Sequence, residues 1–99
     1  MATSDQARNR LFMMVREFAD QTPPWGTAIR YFTRPDERFD LTLVSARVYG
    51  RRAESLVIQA AAGLDSPELE LTERPLVLPM PSQLRAMKVQ AGFDEREII

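Results

Sequence analysis

The stretch "ARVYGRRAESLVIQAAAGLD", residues 46–65, decides the fold, because it contains the end of one helix and the whole of a second with almost no loop between them. The first helix ends at Tyr49-Gly50 and the second at Gly63-Leu64. Glycine directly after a helix readily adopts the left-handed conformation that closes it. We therefore predict positive φ at Gly50 and Gly63, and a structural unit built on two short, adjacent helices.

A short strand is predicted on each side of this helical pair. In "TAIRYF", residues 27–32, apolar Ile29 and Tyr31 alternate with Arg30 and Phe32. Asp40 is a suitable N-cap for the first helix, and "LVLP", residues 76–79, is a short apolar strand. Two strands alone form a marginal sheet, so both helices must cover one face of it. The predicted buried cluster comprises Val44, Val48, Leu56, Val57, Ile58, Leu76 and Leu78.

Further helices are predicted at both ends. "SDQARNRLFMMVREFAD", residues 4–20, has Ser4 or Asp5 as its cap. Its apolar stripe consists of Ala7, Leu11, Met14, Val15 and Phe18. Periodicity does not tell whether this helix folds back on its own domain or docks on another subunit, so both alternatives stay open. A shorter helix is predicted in residues 82–91, before Gly92.

Composition narrows the range of functions. The chain has 99 residues, a net charge of −1, and neither cysteine nor histidine. Thiol nucleophiles, zinc–thiolate sites and imidazole bases are excluded, and nothing in the charge favours nucleic-acid binding. The polar N-terminal sequence lacks the apolar core of a signal peptide, and no apolar run reaches the length of a membrane span. We expect a protein that is neither secreted by that route nor embedded in a membrane.

No catalytic group stands out among the remaining residues. Ser45 and Ser55 have no histidine to activate them, and Asp36-Glu37 is expected to lie solvated in a turn. The glutamates at 68, 70 and 73 match no calcium-loop spacing. We therefore expect no enzymatic activity, no metal site and no cofactor.

The chain resembles a LysM domain over residues 29–79, roughly half its length. The aromatic-glycine pair that ends the family's first helix is Tyr49-Gly50, and the apolar strand that ends in proline is residues 76–79. The resemblance implies an α+β fold with a LysM-like βααβ core, in which two helices cover one face of a two-stranded antiparallel sheet. The implied organisation is an N-terminal helical arm and linker at 1–24, the core at 25–81 and a C-terminal extension at 82–99.

The resemblance implies two functions. Divergent LysM domains occur in phage tail and baseplate proteins, whereas other members bind peptidoglycan, a polymer containing N-acetylglucosamine. In the second case the groove would contain Arg34, Asp36, Asp65 and Ser66. The family's Gly-Asp-Thr/Ser turn is replaced here by "PDERFD", residues 35–40, and its asparagine by Ala61. These departures favour the tail or baseplate function over glycan binding.

Apolar residues at both ends fit such an assembly role. The candidate partner-contact residues are Phe12, Met13, Met14, Phe93, Ile98 and Ile99. Methionine adapts to irregular surfaces, and apolar residues at the ends of a small chain call for something that covers them. We expect a structural adapter that joins other tail or baseplate proteins in multiple copies, located in the virion and, during assembly, in the host cytoplasm. Peptidoglycan is the alternative partner, and neither nucleic acid nor membrane is expected.

Overall fold

The computed structural model describes residues 4–94. In this part of the chain the protein is a small α+β structure with four α-helices and one two-stranded antiparallel sheet. Two single-turn 3₁₀ segments, Pro35–Glu37 and Arg52–Glu54, precede α2 and α3. The regular elements are, in chain order, α1 (Asp5–Gln21), β1 (Ile29–Phe32), α2 (Leu41–Tyr49), α3 (Ser55–Ala62), β2 (Pro75–Leu78) and α4 (Pro81–Ala91).

The sheet has one covered and one open face. Ile29 of β1 pairs with Leu78 of β2, and Tyr31 pairs with Leu76. Because successive side chains in a strand point to opposite faces, these four residues share the inner face. Leu76 and Leu78 are fully buried there, while Ile29 and Tyr31 are half-buried against the core. The outer face carries Arg30 and Phe32 of β1 with Pro75 and Val77 of β2.

Short-range signals set the ends of the two central helices. The Asp40 carboxylate accepts a hydrogen bond from the Leu43 N–H at 3.2 Å, so Asp40 caps α2 as predicted. Gly50 and Gly63 have φ of +76° and +72°, which confirms the left-handed conformation predicted for both. The Leu64 N–H donates to the Gln59 carbonyl at 3.1 Å, which closes the last turn of α3.

A buried serine explains why α3 can follow α2 with so little connecting chain. The Ser45 hydroxyl lies on α2, accepts a hydrogen bond from the Glu54 N–H at 3.0 Å and donates to the Arg51 carbonyl. It therefore satisfies main-chain groups of the connection between the two helices. The hydroxyl considered above as a nucleophile instead has a clear structural role.

Helix α1 is part of the core. Ser4 caps it, since its side chain accepts a hydrogen bond from the Ala7 N–H at 3.2 Å. Leu11 and Val15 are buried in the same cluster as the inner face of the sheet, and α1 packs on α3, α4 and β2. Of the two alternatives left open, the structure has this helix folded back on its own domain. Leu84 of α4 also joins the cluster.

The predicted core is largely observed. Val44, Val57, Ile58, Leu76 and Leu78 are at most 1% exposed, while Val48 and Leu56 are half-buried against the cluster.

One buried leucine lies in the loop between α3 and β2. Leu71 is 2% exposed, and its N–H donates to the Arg38 carbonyl at 2.7 Å. The segment between α3 and β2 is thus fixed to the turn before α2. Among residues 4–94, none of the helices is both long and apolar enough to span a bilayer.

Truncating Leu76 should destabilise the domain strongly. Leu76→Ala opens a cavity under the sheet, and we expect a loss of about 2–5 kcal/mol in the free energy of unfolding. Leu56→Ala should cost less, because Leu56 is only half-buried. Leu69→Ala, at an exposed loop position, is the control and should change stability by less than about 0.5 kcal/mol. Urea denaturation measures all three, and an unchanged midpoint for Leu76→Ala would contradict the core assignment.

The Asp40 cap should contribute to stability in a pH-dependent way. Hydrogen bonding, first from the Thr42 hydroxyl and then from the Leu43 N–H, lowers the pKa of Asp40 below the 3.8 that is usual for an aspartate. A depressed folded-state pKa means that the contribution is complete above 3.8 and is lost as the pH falls through the folded-state value.

At pH 7 we expect Asp40→Ala to cost about 1 kcal/mol, and Asp40→Asn to cost less, because asparagine is also a good cap. The stability difference between the native protein and Asp40→Asn should shrink as urea titrations move from pH 7 to below 3.8. A difference that stays constant over that range would show that the carboxylate charge has no role in the cap.

Candidate interaction surface

The connection between α1 and β1 presents a tryptophan on a fixed turn. The Gly26 N–H donates to the Pro23 carbonyl at 2.8 Å, which closes the turn. The Arg30 guanidinium then donates to the carbonyls of Pro23 and Gly26, each at 3.0 Å. Trp25 lies within this turn and is 86% exposed. A large apolar side chain is thus held in water by a backbone that is fixed at several points.

The tryptophan turn lies beside the open face of the sheet. Arg30 belongs to that outer face, so its two hydrogen bonds place the turn of residues 23–26 beside the face. The Gln83 amide of α4 donates to the Thr27 carbonyl at 3.0 Å and fixes the other end of the connection. Phe32, also on the outer face, is 62% exposed. Arg30 thus joins the turn that carries Trp25 to the sheet face that carries Phe32.

A second set of exposed apolar residues lies where the α3–β2 loop meets the turn before α2. Phe39 is 68% exposed and Leu69 is 47% exposed. The Arg38 guanidinium lies 5.3 Å from the centre of the Phe39 ring and forms an ion pair with Glu70. A pocket of about 360 Å³ opens here, lined by Pro35, Arg38, Glu70, Leu71, Thr72 and Glu73.

The turn predicted to form one side of a glycan groove is occupied by an internal charge network. Asp36 accepts two hydrogen bonds from the Arg47 guanidinium, at 2.7 and 2.8 Å. Hydrogen bonding from Arg47 holds the pKa of Asp36 below its usual value, and the paired carboxylates raise the pKa of Arg47. Arg34 is exposed at the start of the turn. Asp36 is therefore committed to Arg47.

Glu37, expected to be solvated, is fully buried, and that expectation is wrong. Its carboxylate accepts from the Tyr31 hydroxyl at 2.6 Å, the Arg34 N–H at 2.6 Å and the Arg47 guanidinium at 2.9 Å. Three donors, one of them the Arg47 cation, compensate the loss of water around the charge. Burial, and then the hydrogen bond to Glu37, raises the pKa of Tyr31. This carboxylate fixes the turn.

The other predicted side of the groove is also engaged within the chain. Asp65 forms an ion pair with Arg16 of α1 at 3.6 Å, and the Ser66 hydroxyl hydrogen-bonds to Glu68. The pocket that does open against the turn before α2 is lined by residues 70–73 of the loop, not by 65–66. None of Arg34, Asp36, Asp65 and Ser66 lines this pocket.

The candidate partner-contact residues at the N-terminal end have different environments. Phe12 and Met14 are half-buried against the core, whereas Met13 is 61% exposed on the opposite side of α1. Arg16 lies 4.8 Å from the centre of the Phe12 ring, a cation–π contact within the same helix. Met13 is thus the member of this set whose surface is available.

At the C-terminal end, Phe93 packs against the core and its ring lies 5.8 Å from the Lys88 ammonium. Ile98 and Ile99 lie outside the described residues. Near α4, a groove of about 410 Å³ runs between the end of α1 and α4, with Met14, Phe18 and Met87 among its lining residues. The half-buried methionines thus border an open apolar groove.

A buried ion pair, missed from the sequence, joins the helical connection to α4. The Lys88 ammonium donates to the Glu54 carboxylate at 2.6 Å, and both side chains are less than a tenth exposed. Nearby, the Tyr49 hydroxyl donates to the Pro79 carbonyl at 2.7 Å, and burial raises the pKa of Tyr49. Helical spacing gave no signal for the pair, because Glu54 and Lys88 lie in different segments.

Within residues 4–94, no group of three or more carboxylates, histidines or cysteines is placed to hold a metal ion.

Comparisons of the chain with protein-family models, with curated proteins and with solved structures give no match.

Proposed function

We propose that the chain is a structural component of a phage tail or baseplate, or of a related contractile injection machine, built on a LysM-like core. It acts as an adapter between tail subunits, in multiple copies, without enzymatic activity. It resides in the virion and, during assembly, in the host cytoplasm. The observation that carries this proposal is Trp25, 86% exposed on a turn that Arg30 holds at two carbonyls.

An exposed tryptophan on a fixed turn suits a protein partner. Tryptophan is enriched among the residues that dominate binding energy at interfaces, because it buries a large area and has few rotatable bonds. The turn is already ordered by Gly26 and Arg30, so binding costs little additional conformational entropy. Phe32, on the same sheet face as Arg30, adds further exposed apolar surface.

The position of α1 refines how an adapter would make its contacts. Because Leu11 and Val15 are in the core, the buried side of α1 serves its own domain. Contacts with neighbouring subunits are then made by exposed residues such as Met13 and Trp25. The LysM-like core itself is supported by two strands that flank two glycine-terminated helices in the chain.

The internal pairing of polar residues favours assembly over glycan binding. A saccharide site needs polar groups that converge on the ligand and are free to bind it. Asp36 is paired with Arg47, Asp65 with Arg16, and Ser66 with Glu68. Peptidoglycan binding therefore remains the alternative and is included in the test.

Truncating Trp25 should block assembly without unfolding the protein. We expect Trp25→Ala to reduce incorporation into the parent particle at least about tenfold, as is usual for an interface hot spot. The thermal midpoint should stay unchanged, because the side chain contributes little to the core. Val89→Ala, a truncation at a position 60% exposed on α4, is the matched control and should incorporate normally.

Two results would argue against this function. Normal incorporation of Trp25→Ala would remove Trp25 from the interface. Saturable binding of the native protein to purified peptidoglycan, lost in Asp65→Ala or Ser66→Ala, would instead support the glycan-binding alternative. Quantitative mass spectrometry of purified particles measures the first, and a pull-down with isolated peptidoglycan measures the second.

A further inference from the structure

The hydrogen-bond register leaves the outer edge of β1 with unpaired main-chain groups. The Thr33 N–H donates to the Arg74 carbonyl at 2.9 Å. Hydrogen-bonded and non-hydrogen-bonded pairs alternate in an antiparallel ladder, so Tyr31–Leu76 and Ile29–Leu78 are hydrogen-bonded pairs. The N–H and C=O groups of Arg30 and Phe32 therefore point away from β2. Within residues 4–94, no group hydrogen-bonds to them from outside the ladder.

The outer edge of β2 is closed. By the same alternation, its outward groups belong to residues 75, 77 and 79. Pro75 and Pro79 have no N–H, and the Pro79 carbonyl already accepts a hydrogen bond from the Tyr49 hydroxyl at 2.7 Å. Proline at outward positions is a common protection of edge strands. Only Val77 retains both groups, between two prolines.

The two strands also differ in what covers them. α1 and α3 pack on β2, so β1 is the outlying strand of the sheet. Arg30 and Phe32, the residues of β1 whose main-chain groups point away from β2, are both exposed, and Phe32 is 62% exposed. The guanidinium of Arg30 is held by the Pro23 and Gly26 carbonyls, which draws this charged group toward the tryptophan turn. The open edge is thus short, accessible and flanked by apolar surface.

We propose that β1 pairs with β1 of a second copy of this chain, antiparallel about a twofold axis beside Tyr31. Arg30 of each copy would then face Phe32 of the other and exchange two main-chain hydrogen bonds with it. The two sheets become one four-stranded sheet, which is more stable than two separate pairs of strands. This inference goes beyond the tail function and does not depend on it.

The side chains suit this occupant. In the twofold register each Arg30 lies opposite an aromatic ring, and each Arg34 lies opposite Ala28, so no like charges face each other. The aliphatic stem of Arg30 can pack on that ring while its guanidinium stays on the Pro23 and Gly26 carbonyls. Because the outer edge of β2 is closed by prolines, the sheet cannot grow further, and the assembly stops at a dimer.

The interface is small, and we expect a dissociation constant between about 0.1 and 1 mM. Sedimentation velocity of the native protein should show the mass rising from 11.3 kDa toward twice that value as concentration increases. In parallel, hydrogen exchange by NMR should show the Arg30 and Phe32 amides becoming protected with concentration, while the Tyr31 amide is protected throughout. A monomer at about 1 mM, or a dimer whose Arg30 and Phe32 amides exchange freely, would overturn the proposal.

Phe32→Pro is the sharpest variant, because it removes an N–H that the ladder with β2 does not use. It should remain folded by circular dichroism and stay monomeric at all concentrations. Val89→Ser, which removes an exposed apolar group from α4, is the control and should dimerise like the native protein. A folded Phe32→Pro that still dimerises would also overturn the proposal. If this variant does not fold, the proposal is tested by whether the Arg30 and Phe32 amides of the native protein become protected as its concentration rises.

Discussion

A two-stranded sheet with only four residues in each strand must bury one face, and this constraint organises the whole molecule. The helices between the strands supply Val44, Val57 and Ile58, and α1 adds Leu11 and Val15 to the same cluster. A sheet of this size has little stability of its own, so its inner face depends on α1, which precedes β1, and on the two helices between the strands. Residues far apart in sequence therefore form one cooperative core.

Two buried carboxylates position segments that apolar packing alone leaves undefined. Glu37 gathers Tyr31, Arg47 and the Arg34 N–H, and thereby fixes the turn between β1 and α2. Glu54 binds Lys88 and attaches α4 beside the α2–α3 connection. A buried charge without a partner is strongly destabilising, so each carboxylate enforces a specific arrangement. These contacts specify how the segments are arranged more than they add to the free energy of unfolding.

Local signals in the sequence were sufficient where the physics is local. Asp40 and the glycines at 50 and 63 act within one helical turn, and each behaves as predicted. Burial of Leu71 and Glu37 depends on segments that meet only in the fold, so no pattern along the chain indicated it. The same holds for the candidate site. The family resemblance pointed to the groove residues and the apolar ends pointed to the partner contacts, whereas the exposure of Trp25 and its support by Arg30 become visible only in three dimensions.

Lys88 is the only lysine in the chain, and its ammonium group is enclosed against Glu54. Amine-reactive cross-linkers and fluorophores will therefore find no accessible lysine on the folded domain. Modification of this side chain requires α4 to separate from the connection between α2 and α3. The rate at which Lys88 reacts, followed separately from the N-terminal α-amino group by peptide mapping, thus reports the frequency of a local opening event.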